Sequence, residues 1–157
     1  MEFTEVITQR RAIRHYKSDP IPSEKMAKLY EALQLAPSGN NRQPYRFYFV
    51  TDPEKRREIV TQACHQEFIL EAPVIMVATC ERGDDFNVAI AVDHLILAAV
   101  NEGLGTCWVG WFEREAVRQI LDIPETQDIP ILVPIGYPAQ NPAPRPRKPI
   151  SELIIQV

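Results

Sequence analysis

Apolar residues recur at helical spacing in the first third of the chain and later give way to strand-like runs, so the pattern predicts helices alternating with strands. Phe3, Val6, Ile7 and Arg10 share one helical face. They predict a first helix with an inward apolar stripe that delivers Arg10, Arg11 and Arg14 at its C-terminal end. Asp19-Pro20-Ile21-Pro22 breaks this run. Ser23 is suited to cap a second helix, in which Met26, Leu29, Tyr30 and Leu33 fall at i, i+3, i+4 and i+7, and Pro37 stops it. The polar loop Ser38-Gly39-Asn40-Asn41-Arg42-Gln43-Pro44 leads into an aromatic-rich strand, Tyr45 to Val50, and Asp52-Pro53 opens a charged helix towards Cys64.

The stretch Val74 to Thr79 reads as a buried strand. Asp85 or Phe86 to Glu102 forms the longest predicted helix. Ala89, Val92, Leu95, Ile96, Ala99 and Val100 give it enough apolar surface for a buried central position, and it ends at Gly103. A Gly-rich segment, Gly103 to Trp111, precedes a short helix from Glu113 to Leu121. Ile129 to Gly136 is the last clear strand, and Pro130 and Pro134 mark it as an edge or an interrupted ladder. Beyond it, Pro138, Pro142, Pro144, Pro146 and Pro149 keep residues 138–157 extended. The terminal Ile150-Ser151-Glu152-Leu153-Ile154-Ile155-Gln156-Val157 is too apolar to stand in water. Such a strand-like segment docks on its own sheet or on a partner subunit, and an obligate dimer is expected.

Composition narrows the function. The 157 residues suffice for one domain with a core, 1–157, and the net charge of −4 argues against a nucleic-acid or anionic-membrane binder. No apolar run has membrane-spanning length and the N-terminus lacks signal-peptide character, so a cytoplasmic protein is expected. Cys64, Cys80 and Cys107 are far apart and odd in number, which suggests buried small hydrophobes and neither a disulfide framework nor a metal site. Against this acidic background stand two basic clusters, Arg10-Arg11-Ala12-Ile13-Arg14 and Arg145-Pro146-Arg147-Lys148. They point to a local phosphate-bearing ligand.

Taken in order, Arg10-Arg11-x-x-Arg14, Ala36-Pro37-Ser38-Gly39-Asn40-Asn41-Arg42-Gln43-Pro44, Glu71-Ala72-Pro73, Gly103-Leu104-Gly105-Thr106-Cys107-Trp108-Val109-Gly110, Gly136-Tyr137-Pro138 and Arg145-Pro146-Arg147 resemble the nitroreductase family of FMN-dependent oxidoreductases over nearly the whole chain. The resemblance implies an α+β fold with a mainly antiparallel sheet flanked by helices. It also implies a homodimer with FMN at the subunit interface and a C-terminal arm docked on the partner. Arg10, Arg11 and Arg14 would hold the FMN phosphate, ribityl chain and pyrimidine edge, with Arg145 and Arg147 closing over the phosphate. Pro37, Ser38, Gly39 and Asn41 would lie along the flavin from the second subunit, with Gln43 as ligand or loop tie. The backbone of Val109-Gly110-Trp111 would face flavin N5, and Trp111 would border the substrate face, whereas Trp108 would pack in the core or the dimer interface.

Two positions depart from the family. His65-Gln66 stands where Asn-Gln is frequent, so His65 or Gln66 meets a flavin carbonyl or His65 has no role; Ala12 replaces a frequent hydroxyl residue, so one phosphate contact is missing. His15 and His94 read as structural. The implied reaction is hydride transfer from NADH or NADPH through flavin N5 to a small acceptor such as a nitroaromatic, quinone or flavin, by ping-pong turnover. No side-chain nucleophile is required, and the short run Glu81 to Phe86 leaves the site open. The rival readings are a non-redox FMN-binding or storage protein and a specialised flavoenzyme of the reductive dehalogenase or azoline oxidase type. A cofactor-free interaction protein is the third.

Overall fold

The computed structural model describes residues 1–157. Its helices are α1 (Phe3–Gln9), α2 (Ser23–Leu35), α3 (Pro53–Ala63), α4 (Asp85–Asn101), α5 (Arg114–Leu121) and α6 (Ile150–Leu153). Its strands are β1 (Tyr45–Val50), β2 (Val74–Glu81), β3 (Gly105–Thr106) and β4 (Gln127–Gly136), and 3-10 turns span Gly39–Asn41 and Glu67–Glu71. The strands form one antiparallel sheet in the order β1-β2-β4-β3, with Val77 opposite both Tyr48 and Leu132. The α+β architecture matches the expectation.

The apolar run of β2 explains why this sheet is covered on both faces. Successive side chains point to opposite sides. Met76, Ala78 and Cys80 enter one core with Leu29 and Leu33 of α2 and Leu95 and Ile96 of α4. Ile75 and Val77 enter the other with Ile59 and Val60 of α3 and Val117 of α5. The Asp52 side chain accepts from the Lys55 N–H at 2.8 Å and Pro53 occupies the first turn of α3, the start that the sequence prescribes.

Pro130 interrupts the β4 ladder as expected, whereas Pro134 stays in register opposite Ile75. Ala78 pairs with Ile131 but Cys80 pairs with Asp128, so the register shifts opposite Pro130, which has no N–H to donate. β4 is otherwise an inner strand, paired with β2 along its length and with β3 at its end.

Several expectations are corrected. α1 ends at Gln9 and buries only Val6, leaving Phe3 and Ile7 exposed, because this face meets no layer of its own chain. The Arg10 N–H closes the helix on the Val6 carbonyl, and the residues after it turn extended. Tyr30 is half-exposed and stands edge-on to Phe49 at 4.7 Å, at the open side of the α2 and β1 contact. α4 is covered on one side only: Val88, Ala91, Val92, Leu95, Ile96 and Ala99 are buried, whereas Phe86, Ala89, Asp93 and His94 face outward. Ile150–Leu153 forms one helical turn in place of a strand. That segment does not dock on its own sheet, since Ile150, Leu153, Ile154 and Ile155 are all exposed. No helix is long and apolar enough to cross a membrane.

Two glycines fix how closely the Arg10–Tyr16 segment approaches the sheet. A Cβ at Gly105 would stand 2.6 Å from Ile13 Cγ1, and one at Gly136 would stand 2.7 Å from Pro73 Cδ and 3.1 Å from Tyr16 Cδ1. Gly105→Ala is therefore expected to destabilise the fold by about 1–3 kcal/mol through overpacking, read as a lower midpoint in urea unfolding with an unchanged m-value. A midpoint equal to that of the parent chain would show that the segment yields at no cost.

Candidate functional site

The basic segment leaves α1 and runs beside β3 as an irregular strand. Ala12 bridges Thr106, and the Ile13 N–H donates to the Thr106 carbonyl at 2.9 Å. Ile13 and Tyr16 are buried and the Tyr16 hydroxyl donates to the Ile13 carbonyl at 2.7 Å, with burial pushing the phenol pKa well up. Glu71 fastens the segment from outside, accepting from the Tyr16 N–H at 2.9 Å and lying 3.3 Å from His15 Nδ1. With Ile13 and Tyr16 anchored inward, Arg14 between them is exposed, and Arg10 and Arg14 both lie near enough to the Cys107 thiol to oppose its upward shift, which burial dominates.

Arg11 differs from its neighbours. Its Nη1 donates to the Thr8 and Arg10 carbonyls at 2.7 and 2.8 Å, so part of the guanidinium caps α1. Its Nε is buried without a hydrogen-bond partner.

The arm begins next to this segment. The Lys17 N–H donates to Tyr137 and the Ala139 N–H donates to His15, each at 2.9 Å. Arg145 follows six residues later, within about 20 Å of chain. Arg145 and Arg147 are exposed and form no ion pair, so within one chain the root of the arm lies beside the first basic cluster and the second cluster is not joined to it.

A second group forms where the end of α3 meets the Gly-rich segment. Cys64 bridges Phe112, and the Glu113 N–H donates to the Ala63 carbonyl at 2.8 Å. This pairing lays the His65 ring against Trp111, 4.6 Å between centroids at 31°, while His65 Nε2 lies 3.2 Å from Glu113 Oε1. Val109 is locked to Leu132 by two backbone hydrogen bonds, but neither the Gly110 nor the Trp111 N–H donates to anything in the chain. A Cβ at Gly110 would meet only Ile131 Cδ1, at 4.0 Å. Trp108 is 42% exposed and Trp111 67%, which corrects the core placement of Trp108. Gln66 precedes the 3-10 turn whose last residue is Glu71, so this turn links His65 to the basic strand. Cys64 is held as a thiol, its pKa pushed up to about 11 by burial.

The third group stands apart. Ser38 Oγ accepts from the Gln43 N–H at 2.9 Å, the Gly39 N–H donates to Asn87 Oδ1 at 3.0 Å, and Arg42 pairs with Glu81 at 2.8 Å and Asp84 at 3.3 Å. Gln43 Nε2 donates to the Asn41 carbonyl and side chain, which makes it a tie within the loop. Asn40, Asn41 and Gln43 all have positive φ, a costly conformation held by these bonds. Pro37, Gly39 and Asn41 are exposed. This loop is tethered to the first turn of α4, whereas the basic strand pairs with β3 just past its last turn. The 17 residues of α4 separate the two by about 25 Å.

Sequence reasoning missed Asn87 and Glu113. Asn87 was hidden within an apolar helix, where one amide in the first turn is no anomaly. Glu113 reads as a helix start, and nothing local announces that it reaches back across 48 residues to His65.

A family model described as "Putative TM nitroreductase" matches residues 2–156. The chain belongs to the nitroreductase family. Among curated relatives, the "Putative NADH dehydrogenase/NAD(P)H nitroreductase" of Methanothermobacter thermautotrophicus is 32% identical, covering 92% of this chain and 82% of that protein. The "FMN reductase [NAD(P)H]" of Bacillus subtilis is 29% identical, covering 94% and 70%. A crystal structure of a nitroreductase family protein from Clostridium novyi superposes with a TM-score of 0.83 at 29% identity, over 88% of this chain and 86% of that one. This nitroreductase-family chain is an oxidoreductase, the enzyme class its motifs lead one to expect.

Proposed function

We propose that this nitroreductase-family chain uses FMN to take hydride from NADH or NADPH and pass electrons to a small acceptor, such as a nitroaromatic, a quinone or a free flavin, in ping-pong turnover. The observation that carries the reading is the state of the guanidiniums beside β3. Acidic residues outnumber basic ones by 21 to 17, yet Arg10 and Arg14 have no carboxylate partner. Arg11 Nε is the one buried side-chain nitrogen or oxygen without a hydrogen-bond partner. A doubly charged phosphate suits such a donor set, each charge-assisted bond contributing about 1.5–3 kcal/mol. Arg145 and Arg147 would close over the same group from the arm.

FMN, when bound, supplies a two-electron centre at N5. The chain supplies the rest: Arg10, Arg11 and Arg14 bind the phosphate and ribityl end, and the unpaired Gly110 and Trp111 N–H groups face the ring. His65 and Gln66 stand at the same end of the molecule. A cofactor held at β3 lies about 25 Å along α4 from Pro37, Ser38, Gly39 and Asn41, so that loop reaches it only from a second copy. The exposed Phe3, Ile7, Phe86 and Leu153 to Ile155 are the apolar surface that such a dimer would cover.

FMN-loaded protein mixed anaerobically with NADH or NADPH is expected to lose its yellow absorbance within seconds and regain it when a quinone is added. Colour that persists with both nicotinamides would sink the reductase reading and leave a storage role. Arg14→Ala should weaken FMN binding by about tenfold or more, measured by equilibrium dialysis, while thermal unfolding of the FMN-free protein hardly changes. Deletion of residues 150–157 should convert a dimer to a monomer in light scattering, and a truncated chain that stays dimeric would refute arm docking.

A further inference from the structure

The loop between α2 and β1 is built more tightly than a connection requires. It lies mostly at the surface, yet Asn40, Asn41 and Gln43 all hold positive φ, from 50° to 54°. A residue with a Cβ leaves that region unless its surroundings hold it there. Two sets of bonds do so. Within the loop, the Asn41 and Arg42 N–H groups donate to the Ser38 and Gly39 carbonyls at 2.9 and 3.1 Å, and Gln43 donates to Ser38 Oγ and to Asn41. These fix its shape. Its place on the molecule is fixed from outside: Asn87 Oδ1, in the first turn of α4, accepts the Gly39 N–H at 3.0 Å, and Arg42 reaches Glu81 and Asp84 at 2.8 and 3.3 Å. Asp84 also accepts from Asn87 Nδ2 at 2.9 Å, which turns the amide so that its oxygen meets Gly39. The Arg42 and Glu81 side chains are 52% and 61% exposed and their attraction is screened, whereas Asp84 is 14% exposed, so the link through Asn87 is the firmer tether.

We propose that Asn87 is a positioning residue for the cofactor site of a second copy: it sets where Gly39 and its neighbours stand, so that the loop meets FMN already in its binding shape. The proposal rests on the flavoenzyme reading above, in which residues 37–41 serve the cofactor of the other subunit, and it names the residue that places them. Both ends of the Asn87 amide are engaged, the oxygen by Gly39 and the nitrogen by Asp84, so Asn87 acts through the loop and not on the ligand. A loop held in its bound shape loses no conformational freedom on contact, and that saving appears as affinity. Without the Asn87 oxygen the Gly39 N–H turns to water, and the positive φ of Asn40 and Asn41 loses its support from α4. The loop then samples relaxed shapes that hold FMN less well.

The test titrates FMN into the full chain freed of FMN, following the change in flavin fluorescence, and reads amide hydrogen exchange of residues 38–43 in the same protein. Asn87→Ala should speed exchange of the Gly39 amide about tenfold and weaken FMN binding about threefold to tenfold. The double variant Asp84→Asn with Asn87→Asp reverses donor and acceptor within the pair and again presents an oxygen to Gly39. It should slow the exchange and bring the affinity back to within about twofold of the parent chain. Ile59→Val, a destabilising change in the core beneath α3, should leave FMN affinity unaltered, which separates placement of the loop from stability. Unaltered FMN affinity in Asn87→Ala, or an equal loss in Ile59→Val, would overturn the proposal. So would a double variant that slows the exchange without restoring affinity. The failures are distinguishable: a parent chain that takes up no FMN ends the flavoenzyme reading and the proposal with it. FMN bound equally well by the parent chain and by Asn87→Ala ends the proposal alone.

Discussion

The pairing of the Arg10–Tyr16 segment with β3 is the constraint on which the candidate site depends. One backbone hydrogen bond, from Ile13 to Thr106, sets the register, and Gly105 and Gly136 let the segment come close enough to make it. Ile13 and Tyr16 then turn into a small core of their own with Ala72. With those side chains inward, the guanidiniums of Arg10 and Arg14 form no ion pair within the chain and are left to meet an anion. The same strand receives the root of the arm at His15 and Lys17, so one short stretch of backbone carries the first basic cluster and anchors the segment that leads to the second.

Most of the fold was legible in the sequence. The boundaries of β1, α3 and α4 follow from local chemistry: aromatics at β1, an Asp-Pro start at α3, and a glycine after α4. β2 was legible as a buried strand because its apolar run admits no polar face, although its end depends on the pairing of Cys80 with Tyr45 and of Glu81 with Gln127. The errors share one cause. Phe3, Ile7, Tyr30, the outer face of α4 and the arm were all read as apolar surface that must be covered, and a sequence does not say by which molecule. Periodicity reports that a face is apolar; only packing shows whether its own chain reaches it.

The candidate site was legible as segments and not as an assembly. The motifs named Arg10, Gly110 and Ser38 together because a family resemblance lists them together. In one chain they fall into three groups, two at the end of the molecule near β3 and one at the far end of α4. Arg11 illustrates the limit at the level of one side chain: a guanidinium beside two others reads as a third ligand, yet part of it caps the helix that it follows. The His65 and Trp111 stack depends on a contact across 48 residues, and no local pattern carries that information.

The length of α4 has a consequence for inheritance as well as for geometry. If each cofactor needs the basic strand of one copy and the loop at residues 37–41 of another, every subunit donates half of two sites. A chain damaged at Arg14 and a chain damaged at Ser38 would then pair to give one site carrying both lesions and one carrying neither. Two inactive alleles expressed together would restore activity, up to half of each mixed dimer, and the recovered fraction would count how often unlike chains meet.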